Sequence, residues 1–65
     1  MRKQIIDALV SQYEAQIKRH KVNIENYLQN TVGVAEHPDI VDTIDLELAK
    51  LAEASDKLET LREMF

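Results

Sequence analysis

The chain has 65 residues, no cysteine, 5% aromatic residues and a net charge of −4. That length holds one domain, near the lower limit for independent folding, and the lack of cysteine removes disulfides and thiolate metal centres as sources of stability. The core must come from Ile, Leu, Val and Ala, so helix packing and self-association are the remaining routes to a stable structure.

Residues 3–29 predict a first helix. Its apolar stripe runs Ile6, Val10, Tyr13, Ile17, His20, Ile24, Tyr27, in steps that alternate four and three. This is coiled-coil spacing. The opening Met1-Arg2-Lys3-Gln4-Ile5-Ile6 is basic then apolar, but Asp7, Gln12 and Glu14 interrupt it, which a secretory apolar segment does not tolerate. No stretch is apolar and long enough to span a bilayer, so the expectation is a soluble, cytoplasmic protein.

Residues 30–37 predict a loop. Asn30 and Gly33 suit the end of a helix, and Val32 and Val34 are expected to plug the end of a bundle. Pro38 stands where proline is favoured, in the first turn of a second helix over residues 38–63. Asp39, Asp42 and Asp45 follow near the positive end of the helix dipole. The second stripe runs Val41, Ile44, Leu48, Leu51, Ser55, Leu58, Arg62, Phe65. Two such helices and a short loop predict an all-α fold, an antiparallel hairpin forming a single domain over residues 1–65. If contacting residues sum to about 68 in number, Ile24 meets Ile44, Ile17 meets Leu51, Val10 meets Leu58, Tyr13 meets Ala54 and Ser55, and His20 falls beside Leu48.

Each stripe has a widened flank: Leu9 on the first helix, and Ile40, Ala54 and Leu61 on the second. These residues, with Tyr13 and Ile17, are the expected self-association set, and the expected assembly is a homodimer closing a four-helix bundle. Charge is split along the chain. Residues 1–30 carry five basic and three acidic residues, residues 31–65 three basic and nine acidic. Opposite signs favour packing the first helix on the second, though screening keeps the bias modest.

Three constellations could carry chemistry, and each has a plainer reading. His20 on the stripe could serve as a pH switch or a metal ligand, but Gln16, Ile17, Asn23 and Ile24 offer no second ligand one turn away. Glu36, His37, Asp39, Asp42 and Asp45 resemble a ligand cluster, yet acids at a helix start are expected for the dipole alone. Lys18, Arg19 and Lys21, with Gln12 and Gln16, could contact phosphates. A solvated face paired with Glu14 and Glu47 is the plainer expectation for a chain of pI near 5.0. Leu46 and Ala49, with Asp42 and Asp45, form the expected surface for a protein partner. No nucleophile elbow, phosphate-binding glycine loop or Cys/His metal spacing occurs, and a two-helix hairpin has no ligand-sized cleft. The expectation is therefore no enzyme and no cofactor.

The layout of two helices, a short loop and an acidic balance resembles the Rop family of plasmid copy-control proteins. That resemblance is architectural. It implies an antiparallel dimer binding RNA through first-helix faces and transfers no residue. The segment Tyr27-Leu28-Gln29-Asn30-Thr31-Val32-Gly33-Val34-Ala35-Glu36-His37-Pro38-Asp39, followed by a Leu/Ala/Glu helix ending in Phe65, resembles small proteins of marine cyanobacterial myoviruses. It implies a viral accessory protein in the host cytoplasm and supplies no site residues. The combined expectation is a small oligomeric interaction module that binds another protein, which the viral resemblance implies is a host protein. RNA binding in the Rop manner and a purely structural assembly element stand as alternatives.

Overall fold

The computed structural model of the protein describes residues 1–29 and 39–65. Expectations for Asn30, Val32, Gly33, Val34, Glu36, His37 and Pro38 lie outside these residues. Helix α1 spans Arg2–Gln29 and helix α2 spans Ile40–Met64. The two pack on each other along their length. Three contacts fix the antiparallel sense: Asn23 and His20 meet Glu47, Glu14 meets Arg62, and Arg2 meets the carbonyl of Phe65. The result is a hairpin 49 Å long and about 15 Å across.

α2 begins at an N-cap. The Asp39 carboxylate accepts the backbone N–H of Asp42 at 3.0 Å, and the Thr43 hydroxyl donates to the Asp39 carbonyl at 3.1 Å. This occupies a helix-end donor that would otherwise have no partner. The bond from the Asp42 N–H holds the Asp39 carboxyl below its usual range, while Asp42, bonded to Asp39 and repelled by its charge, is pushed up. Asp39 is therefore the residue before α2 and not part of its first turn.

α1 turns inward the face predicted for it. Ile6, Leu9, Val10, Tyr13, Ile17, His20, Ile24 and Tyr27 are all half-buried. α2 is rotated relative to the expected stripe. Its inward residues are Ile40, Ile44, Glu47, Leu51, Ala54, Leu58 and Leu61, still in steps of four and three. Ala54 and Leu58 are buried, at 3% and 8% exposed, whereas Val41 and Leu48 are 72% and 52% exposed. Ser55, Arg62 and Phe65 are exposed too. The expected seam would have buried the Arg62 guanidinium, at a large desolvation cost. The observed seam buries Ile40, Ala54 and Leu61 instead, and admits one charged group, Glu47. Ile40, Ala54 and Leu61 were expected to face a second copy. They are used inside the hairpin, and Ala54 has almost no surface left to offer.

Candidate interaction surfaces

The hairpin presents four surfaces. The first is a polar clasp across the seam. His20 Nδ1 donates to Glu47 Oε2 at 2.7 Å, and Asn23 Nδ2 donates to the same oxygen at 3.2 Å. The His20 and Glu47 side chains are each 15% exposed. A carboxylate so placed needs donors, and two are present. Those donors, His20 first and Asn23 second, hold the Glu47 carboxyl below its usual range. Beside the clasp lies a polar groove of about 150 Å³, lined by Gln16, His20, Lys50, Glu53, Ala54 and Lys57. Lys57 is tied to Glu53 at 3.0 Å, which raises its pKa, and its ammonium sits 5.9 Å from the Tyr13 ring centroid. Among the described residues no group of three His, Cys, Asp or Glu is placed to hold a metal ion. His20 meets the Glu47 carboxylate.

The second surface is the basic stretch of α1. Lys18, Arg19, Lys21 and Gln12 are exposed, and Gln16 is half-buried toward the polar groove. At 100° per residue the three cations fan around the helix. Arg19 shares a side with Gln12 and Gln16, while Lys18 and Lys21 share another. The five residues do not converge on one face. Glu47 and Glu14, expected to pair with the cations, bond to His20 and Arg62 instead, the latter at 3.5 Å.

The third is the outer face of α2. Asp42, Asp45, Leu46 and Ala49 are all exposed and follow i, i+3, i+4, i+7 spacing, so they lie together. Leu46 is 64% exposed at the centre of this acidic patch.

The fourth surface was not foreseen. Rotation of α2 leaves Val41 and Leu48 uncovered along one edge of the hairpin, where they join Leu28, 63% exposed, and the half-buried Ile17 and Ile24. Heptad positions place these residues on one side of the seam, opposite the clasp and its groove. The same rotation brings Asn23 and Glu47 together, a contact that apolar spacing alone does not reveal. The available signal was His20 itself, a polar ring on a core stripe that demands a partner.

Among the described residues no helix is long and apolar enough to cross a membrane. No protein-family model, curated protein or solved structure matches the chain.

Proposed function

We propose that the chain is a small helical interaction module, working as a homodimer in which two hairpins close a four-helix bundle that binds another protein. The thin core carries this reading. Among the described residues only Ala54 and Leu58 are buried, while nine large apolar residues stand more than half exposed. Ordering a chain costs about 1.5 kcal/mol per residue, and two buried side chains contribute little against that. Isolated two-helix units are stabilised by packing further apolar surface, and a second copy supplies it without any other component. The acidic face around Leu46 stays outward in such a bundle and is the surface offered to a further protein. If the resemblance to cyanobacterial myovirus proteins holds, that protein belongs to the host.

Sedimentation equilibrium and thermal melts over a concentration series test the assembly. Association stabilises only the folded state, so the melting temperature should rise with concentration. A fully helical monomer at about 100 μM overturns the proposal. The binding role is tested by partner capture with two variants. Leu46→Lys should weaken capture, and Lys18→Gln/Arg19→Gln/Lys21→Gln should leave it intact. RNA binding in the Rop manner predicts the reverse, with affinity falling steeply as salt rises. The divergent directions of Lys18, Arg19 and Lys21 and the acidic excess of α2 favour the protein partner.

A further inference from the structure

Resting on the self-association reading, we infer that the second copy covers the edge formed by Ile24, Leu28, Val41 and Leu48, with α1 of each hairpin lying over α2 of the other. Area is the first argument. The chain exposes 5278 Å² for a mass of 7.5 kDa. A compact monomer of that mass exposes about 4,200 Å². The excess of about 1,000 Å² is close to the roughly 800 Å² each partner buries in a stable protein–protein interface. The second argument is the composition of the two edges. The clasp side carries Gln16, Asn23, Lys50, Glu53 and Lys57 over its central stretch, with apolar surface at Tyr13, Leu61 and Phe65 only toward the chain ends. The opposite edge carries the exposed Val41, Leu48 and Leu28 in the half nearer the start of α2, and the Glu14–Arg62 ion pair in the other half. Apolar surface of this extent along one side of a helix pair is what a bundle core covers.

Charge sets the arrangement. α1 carries five basic against three acidic side chains, and α2 three basic against seven acidic. Packed helices lie about 8–10 Å apart, close to one Debye length of about 8 Å at physiological salt. Helices in direct contact therefore feel each other's charge, and diagonal ones much less. Packing α1 on the partner's α2 sets net +2 against net −4 at both contacts. Packing like on like would set the two acidic helices together. The favoured contact requires a two-fold axis parallel to the helices, which puts both loops at one end. Such an axis leaves every residue at its own height. His20 is level with Glu47 within a hairpin, so Leu28 lies within two residues of the level of the partner's Val41. An apolar contact then closes the end of the interface nearest the start of α2.

Two measurements test this arrangement. Val41→Glu/Leu48→Glu alters only side chains that the hairpin leaves exposed. It should weaken association at least tenfold by sedimentation, and Val22→Glu, on the outer face of α1, should not. Loss of helix content together with association also supports the edge, because neither position is packed within one hairpin. A wild-type monomer would defeat the self-association reading itself, whereas a dimer indifferent to the double change defeats this edge alone. Spin labels on Gln29→Cys read the direction. With both loops at one end the labels should lie within about 25 Å, and a separation of about 40 Å, the length of α1, would overturn the arrangement.

Discussion

Glu47 occupies a position on α2 where the seam would otherwise hold an apolar residue, and His20 does the same on α1. Each makes the other tolerable, since a polar group out of water is costly only while it lacks a partner. Asn23 adds a second donor to the same oxygen. The clasp also resists sliding. A shift of one helix along the other would separate all three groups, so it helps specify one register among several apolar alternatives. Its contribution has a defined pH dependence. His20, then Asn23, holds the folded Glu47 carboxyl below its ordinary 4.5. A group whose folded pKa lies below its unfolded one contributes stability above the unfolded value and loses it as pH falls through the folded value. The window is therefore the acid side of 4.5. Wild type should be more stable than Glu47→Gln near neutrality, and the gap between their melting temperatures should shrink as pH is lowered to about 3. A gap that stays constant would mean that the carboxylate charge contributes nothing.

At the scale of the helix, much of the structure was readable. The expected spans of 3–29 and 38–63 lie close to Arg2–Gln29 and Ile40–Met64. The expected pairing, in which contacting numbers sum to about 68, lies close to the sums of 67 and 70 at the clasp and 67 for Arg2 with Phe65, while the long Glu14 and Arg62 side chains reach across at a sum of 76. Spacing conveyed this because period and length are properties of one helix. It did not convey the rotation of α2. On that helix two stripes share Ile44, Leu51 and Leu58. One adds Val41, Leu48, Ser55 and Arg62, the other Ile40, Glu47, Ala54 and Leu61. Counting apolar residues does not separate them sharply. The choice depends on α1, where His20 needs Glu47 and bulky Tyr13 favours a small residue opposite. The apolar edge was missed for the same reason, since it exists only once α2 has turned. The rotation can be tested at adjacent positions. Ala54 is buried, so Ala54→Leu should overpack the seam and cost about 1–3 kcal/mol. Ser55 is exposed, so Ser55→Leu should change stability by about 0.5 kcal/mol or less, or raise it through the apolar edge. Chemical denaturation compares the two, and the opposite order would return Ser55 to the seam.

For the whole molecule, the hairpin is a rod rather than a globule, 49 Å in its long dimension with a radius of gyration of 15.0 Å. Its inner surface is a single line of contact between two helices. In the proposed dimer, cooperative stability would come mainly from the copy alongside, and folding and assembly would be one process. The rod also has a distinct end. Arg2 reaches the carbonyl of Phe65, so the start of α1 and the finish of α2 stand side by side. Anything joined ahead of Arg2 or beyond Phe65 leaves from that same end. This makes the connectivity of two copies a ruler for their arrangement. If α1 of one copy lies over α2 of the other, the last residue of one is about one helix diameter, about 10 Å, from the first residue of its partner. A linker of about six residues, reaching about 20 Å, then joins two copies head to tail in one chain. That tandem should melt at a temperature independent of its concentration. With the loops at opposite ends the linker would have to run the full length of the rod, and so short a tether could only drive tandems to pair with one another, restoring the dependence on concentration.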